Sequence, residues 1–401
     1  MNPDFFLDAL KDNPSQLPIR AESIIVEQNN GKAVVATQHL DLNEYVRLEL
    51  CSREKVAAPR PLTFVYWGGE DHDRLYDRHS EIVWKVNWND HVLEVVHLEW
   101  EGGCGSQQRD WVVAASEEIA REFILDVERK TNDPGQAILV FAHGHWERSR
   151  SLYQATEEAN FDDLILAENL RDTIRTEFKQ FLASEKRYES IGIAWRRGAL
   201  FIGPPGNGKT HCVRALVREL GIPILYVQSL SHPHYTPEQL WSQVFNRARK
   251  LKPCVLVLED LDSLVDDNTR SFFLNQLDGF EKNHGMIIIA TTNYPEKIDS
   301  AIVDRPSRFD RKYHFDLPTL LERQRFLETW QQRLSAETGW KADTVAESAE
   351  STEGFSFAYL KELVISTVMQ WMSDEKLDFG AVMLEQVAVL AKQLKTSEPN
   401  E

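Results

Sequence analysis

Two short runs hold the residues whose types and spacing could do chemistry. Gly203-Pro204-Pro205-Gly206-Asn207-Gly208-Lys209-Thr210 fits G-x-x-x-x-G-K-[ST] at every position. Glycines let a backbone wrap an anion without Cβ clashes. The loop amides and the N-terminus of a following helix then point at a phosphate. In that arrangement Lys209 bridges the β- and γ-phosphates of a nucleotide and Thr210 ligates Mg²⁺. His211, the next residue, joins the expected nucleotide-binding set.

The second run is VLVLEDLD, residues 255–262. Val255 to Leu258 is apolar throughout, as a central parallel strand should be. Glu259 is the first residue past that strand and Asp260 the second. Phosphoanhydride hydrolysis needs one group to hold magnesium and another to position the attacking water. The usual order in such enzymes is Asp then Glu, and here it is reversed. In one register Glu259 holds Mg²⁺ through water and Asp260, one methylene shorter than a glutamate, polarises the nucleophilic water. In the other, Asp260 takes the metal and Leu261 falls in the catalytic place, which leaves no base. The first register is preferred.

Two further elements could complete such a site. MIIIATTN (286–293) is a buried strand that ends in Asn293, placed to hydrogen-bond both a γ-phosphate and the attacking water. In RPSRFD (305–310), Arg305 and Arg308 flank a proline and a serine. At a subunit edge such arginines can act in trans on a neighbour's γ-phosphate, as arginine fingers do.

These side chains must be positioned by alternating strands and helices. ALFI (199–202) is a short apolar strand before the loop. HCVRALVREL (211–220) is a helix after it, with Val213, Leu216, Val217 and Leu220 on one side. Gly221 stands where a helix C-cap belongs. The alternation over residues 156–317 predicts a mostly parallel α/β sheet. LLERQRFLETWQQRL, FAYLKELVISTVMQWM and AVMLEQVAVLAKQL predict a helical region over 318–395, with a polar tail at 396–401. Residues 1–155 predict a separate α+β domain. There LTFVYWG (62–68) is strand-like, and EIVWKVNWN and HVLEVVHLEW pair as a hairpin across Asn89-Asp90. Trp84, Val86 and Trp88 share one face by period-two spacing. WVVAAS continues the strand pattern, and Ser116 caps EEIAREFILDVERK, with Ile119, Phe123 and Val127 on one stripe. Asp133-Pro134-Gly135 ends that helix, and AILVFAHGHW is a further strand of the same domain. FFLDAL (5–10) predicts a short amphipathic turn. His143 and His145 have no third ligand at a recognisable spacing, so ordinary histidines are expected rather than a metal site.

Composition excludes several classes. The chain has 401 residues, 42% hydrophobic and 27% charged, as a soluble multidomain protein does. The net charge of −18 argues against a general nucleic-acid binder. Cys51, Cys104, Cys212 and Cys254 are widely spaced, which suggests neither disulfides nor a zinc site. No apolar run approaches the length of a membrane span, and the acidic N-terminus lacks a signal-peptide pattern, so a cytoplasmic protein is expected.

The assembled motifs resemble the AAA family of AAA+ ATPases. GPPGNGKT is similar to its Walker A, LEDLD to its Walker B, TTN to its sensor 1 and RPSRFD to its second region of homology. The Bcs-type branch resembles the chain further, through the lead-in FDDLILAENL…YESIGIAWRRG, through LNQLDGF (274–280) and through the same Glu-Asp order. The resemblance implies a P-loop α/β core with a C-terminal helical lid, and ATP with Mg²⁺ as substrate and cofactor. It also implies a homo-oligomeric ring of six or seven subunits that remodels or translocates a protein client. A slow ATP-dependent switch or scaffold, and a DNA-linked ATPase, stand behind that reading. The chain departs from the branch in four places. It lacks the membrane-spanning N-terminal helix of the mitochondrial Rieske-protein translocase. Ser307 replaces a glycine. Phe357-Ala358 replaces a Gly-Ala pair near the adenine. SLSHPHYTPEQL (229–240), in the place of the first pore loop, has Tyr235 but not the aromatic–apolar–Gly order.

Overall fold

The computed structural model describes residues 17–38, 40–57, 63–67, 75–102, 105–132, 134–166, 169–232, 235–278, 283–303, 308–374 and 376–397. FFLDAL, Asp133, Arg305, Ser307 and the last residues of the tail lie outside them. The chain divides into two compact units, Met1–Gly135 and Gln136–Glu401.

The first unit contains a five-stranded antiparallel sheet. Its strands are β1 (Ala33–Thr37), β2 (Ser52–Ala57), β5 (Glu81–Trp88), β6 (His91–Gly102) and β7 (Gly105–Ala114), in the order β1-β7-β6-β5-β2. A separate hairpin pairs β3 (Thr63–Trp67) with β4 (Leu75–His79). Alternation sends neighbouring residues to opposite faces. Val83, Val96, Trp111 and Val113 pack under the helix Leu17–Gln28 through Leu17, Ala21 and Ile25. Val86, Trp88, Val95 and Val112 pack under the helix Glu117–Asn132 through Ala120, Phe123 and Val127. The β5–β6 turn places Asn89 and Asp90 at φ 43° and 62°, the left-handed values a two-residue hairpin with right-handed strand twist needs. Ser116 Oγ accepts from the Ile119 amide and caps the long helix, whose first turn carries Glu117 and Glu118.

The second unit is built on seven strands in the order β14-β10-β13-β12-β11-β8-β9. These are β8 (Ile138–Ala142), β9 (His145–Ser149), β10 (Arg196–Ile202), β11 (Ile224–Val227), β12 (Cys254–Leu258), β13 (Met286–Thr292) and β14 (Arg311–His314). All neighbours run parallel except the β8–β9 hairpin. The division at Gly135 corrects the expected domain boundary after residue 155. The strand in AILVFAHGHW belongs to this sheet, because β8 pairs in parallel with the β11 edge. Its five residues are all buried, and an all-apolar strand needs cover on both faces, which only the larger sheet supplies here.

The central strands are buried on both faces. Ala199, Phe201, Val255, Val257, Ile287 and Ile289 face the helix Lys209–Leu220 and the lead-in helix Leu170–Leu182. Leu200, Ile202, Cys254, Leu256, Leu258, Ile288 and Ala290 face the helices Pro237–Lys250 and Arg270–Asp278. Four helices follow, Leu320–Thr338, Ala342–Ser351, Phe357–Ser373 and Phe379–Ser397, with a core that includes Leu327, Trp340, Leu360, Leu363 and Met383. Among the described residues no helix is long and apolar enough to cross a membrane.

Candidate active site

The site forms where β10, β12 and β13 end, at the carboxyl edge of a parallel sheet, the place where open α/β sheets bind ligands. The loop after β10 carries Gly203 to Gly208 and opens the helix Lys209–Leu220, which Gly221 ends at φ 60°. Two glycines are required by close approach. A Cβ on Gly203 would lie 2.2 Å from the Phe315 carbonyl oxygen, and one on Gly206, at φ 81°, 2.6 Å from Ala358 Cβ. The Gly206 carbonyl accepts from the Ala358 amide at 3.0 Å, so the helical region docks directly on the loop. Phe357, in place of the expected glycine, turns onto Phe326, with ring centroids 5.6 Å apart.

Three predicted residues meet in one hydrogen-bonded line. Lys209 Nζ donates to Asn293 Oδ1 at 2.7 Å, and Asn293 Nδ2 donates to Asp260 Oδ1 at 3.0 Å. Lys209 Nζ also donates to the carbonyls of Gly203 and Pro204, at 2.6 and 2.9 Å. Burial pushes the Lys209 ammonium below its ordinary pKa, and Asp260, Asp262 and Glu259 oppose that shift. The Asp260 carboxyl is raised, first by burial and then by Asp262 and Glu259, with Lys209 opposing. Asp260 stands at φ 49°, a left-handed backbone that aspartate tolerates better than most residues but that still costs energy. Its amide is held by Thr291 Oγ1 at 3.1 Å. Asp262 accepts from Thr292 Oγ1 at 2.7 Å and so does not enter the line.

Glu259 points elsewhere. Its Oε2 accepts from the Tyr226 hydroxyl at 2.9 Å, and its Oε1 is buried without a partner. Glu259 and Thr210 line the same cavity of about 70 Å³. A buried, unpaired carboxylate oxygen and a threonine hydroxyl lining one cavity are oxygen donors of the kind a hard cation takes up directly or through water. The two acids take different surroundings: Glu259 lines a cavity with Thr210, and Asp260 accepts from Asn293. The remaining loop residues vary. Asn207 is buried, with its amide donating to the Phe315 carbonyl at 3.4 Å. Pro205 is exposed. The His211 ring contacts the Asn160 carbonyl at 3.2 Å, which ties the helix to the lead-in segment.

Arg308, expected to act in trans at a subunit edge, is paired within its own chain in this structure. Its Nε donates to Asp278 Oδ2 at 2.7 Å, Nη1 donates to the Ala301 carbonyl, and the side chain is 7% exposed. A near-buried guanidinium must be paired, and Asp278 of LNQLDGF supplies that pair within the chain. Tyr235 is also engaged internally. It lies tilted against His232, with ring centroids 4.6 Å apart, and packs against the same core as Trp146. Among the described residues His143 and His145 belong to no group of three possible metal ligands; His145 Nε2 pairs with Glu147 Oε1 at 2.7 Å.

Sequence reasoning missed Tyr226, Thr291 and Asp278. The signal for Tyr226 was partial: it is the polar-tipped residue of the apolar strand ILYV, and the β11–β12 register puts it on the face of Val257 and Glu259.

Comparison with known proteins places part of the chain in a family of similar sequences. Residues 199–317 match the family model for the ATPase family associated with various cellular activities (AAA). The ATP-dependent zinc metalloprotease FtsH 2 of Salinibacter ruber (strain M8) is 34% identical over 255 residues, 59% of this chain and 36% of that protein. The ATP-dependent zinc metalloprotease FtsH of Acidothermus cellulolyticus is 34% identical over 236 residues, 54% of this chain and 35% of that protein. The matches span about a third of the length of these curated relatives. Residues 199–317, which run from the phosphate loop through Asn293 to β14, are therefore an ATPase domain of the AAA family.

Proposed function

We propose that the chain binds ATP with Mg²⁺ on the loop Gly203–His211, hydrolyses it, and uses the cycle to remodel or translocate a protein client within a ring of six or seven copies. The observation that carries this reading is the line Lys209–Asn293–Asp260, which joins the phosphate-binding loop to the candidate base across the ends of adjacent strands. Thr210 and Glu259 would hold the magnesium ion, which when bound neutralises charge on the β- and γ-phosphate oxygens. Lys209 exchanges its loop carbonyls for phosphate oxygens. Asn293 keeps its amide toward Asp260 and offers the attacking water a second partner. Asp260 orients that water, which attacks the γ-phosphorus as the bond to the ADP oxygen breaks. The water's proton leaves through Asp260 or the phosphate.

The Glu-Asp order and the lead-in before Arg196 support a place in the Bcs-type branch. The client-remodelling part of the proposal rests on that resemblance and on the relatives named above. It takes nothing from the peptidase half of their name. The internally packed Tyr235 favours movement of whole subunits over gripping of a threaded chain.

A slow switch or scaffold is the second reading, favoured by the strained, shorter Asp260. Steady-state phosphate release separates the two. The motor reading expects wild type to release phosphate at least 100-fold faster than Asp260→Asn, the scale of losing one positioned general base. Equal rates would leave the switch.

A further inference from the structure

The reversed order of the two acids has a structural counterpart one strand away. Glu259 carries one methylene more than the usual aspartate, so a free side chain there samples more rotamers and places its carboxylate less tightly. Tyr226 removes that freedom. It pairs across from Val257, two residues before Glu259 and therefore on the same face of the sheet. Its hydroxyl donates to Glu259 Oε2 at 2.9 Å, while Oε1 stays buried and unpaired. Both side chains line the cavity that Thr210 also lines, with Val213 and Val257 as its apolar wall. A carboxylate bound by a neutral donor on one oxygen and buried without a partner on the other costs free energy unless the second oxygen gains a partner.

We propose that Tyr226 is a positioning residue for the metal-side acid: its hydroxyl fixes one oxygen of Glu259 so that the other faces Thr210, and this lets a glutamate serve where a shorter acid is usual. The proposal rests on the reading of Glu259 and Thr210 as the Mg²⁺ residues. Tyr226 contacts neither phosphate nor metal. It acts through Glu259, and a phenylalanine would keep the apolar packing while deleting only the hydrogen bond. Burial and the neighbouring Glu259 both raise the phenol's pKa, so the hydroxyl remains a donor over the working pH range.

The test measures metal binding directly on the full chain. Mn²⁺ affinity is read by electron paramagnetic resonance in the presence of a non-hydrolysable ATP analogue, and metal-free nucleotide affinity by a fluorescent ATP analogue. Tyr226→Phe is expected to weaken Mn²⁺ binding about tenfold, the equivalent of about 1.4 kcal/mol and of one hydrogen bond to a charged group. Metal-free nucleotide affinity should stay within about twofold. In a Glu259→Asp background the carboxylate no longer reaches the hydroxyl, so adding Tyr226→Phe should change Mn²⁺ affinity less than about twofold. A merely structural tyrosine would cost affinity equally in both backgrounds, and that outcome overturns the proposal. So does Mn²⁺ affinity of Tyr226→Phe within twofold of wild type. Glu259→Gln tells the two levels apart. If it leaves Mn²⁺ binding intact, the metal assignment itself fails. If it weakens binding while Tyr226→Phe is silent, only the role of Tyr226 falls.

Discussion

Arg308→Ala is expected to destabilise the larger unit rather than merely silence a neighbour's site. The side chain is 7% exposed and makes two hydrogen bonds inside its own chain, to Asp278 Oδ2 at 2.7 Å and to the Ala301 carbonyl. At that separation and an effective dielectric near 20, the gross attraction is about 6 kcal/mol. Desolvation of a nearly buried guanidinium cancels much of it. Truncation removes both bonds, each donated by the charged guanidinium and together worth about 3 kcal/mol net. Asp278 is not stranded, because Arg196 Nη2 remains 3.4 Å from its other oxygen. The expected loss is therefore about 3 kcal/mol, at the lower edge of what breaking a buried pair costs. For a unit of this size that corresponds to a fall in Tm of roughly 6–12 °C. Guanidinium denaturation followed by tryptophan fluorescence measures it, in a cycle with Asp278→Asn that isolates the pair. A loss below about 1 kcal/mol with an unchanged m-value would refute the reasoning. The pair would then be open in solution and Arg308 free to work at an edge.

Four other outcomes are expected. Asp260→Asn should stabilise the nucleotide-free protein at pH 7. The Asp260 carboxyl is raised above its unfolded value, so it adds stability only below about pH 4 and loses it as the pH climbs through the folded value. The gain in Tm should therefore shrink toward pH 4, and a gain that grows on acidification would contradict the sign. For the same reason, phosphate release by wild type should decline with acid at a higher pH than an ordinary aspartate would give. Lys209→Ala should lose ATP binding, checked by fluorescence titration, and retained micromolar affinity would contradict its role. Gly206→Ala forces φ 81° on a residue with a Cβ and drives that atom to 2.6 Å from Ala358. A backbone cost of about 1–2 kcal/mol plus the clash should separate loop and helical region. Faster proteolysis at Ser356–Ala358 would reveal it, and an unchanged cleavage pattern would count against the contact.

The sequence by itself carried the parts that depend on short-range pattern. Eight consecutive positions define the phosphate loop, and four apolar residues before Glu259 fix where its strand ends. The strand–helix order was legible because central parallel strands need continuous apolar runs. The tertiary structure decided what depends on pairing between distant segments. β8 reads like any strand that follows a helix. Only its parallel register with Leu225 to Val227 assigns it to the ATPase sheet and moves the boundary to Gly135. Arg308 lies in a charged loop segment, and nothing local reveals that Asp278, 30 residues earlier, closes over it. Tyr226 and Glu259 are 33 residues apart and meet because β11 and β12 are neighbours. Spacing along the chain fixes which face a side chain leaves from. Which partner waits on that face is set by strand order, and strand order is a property of the folded sheet.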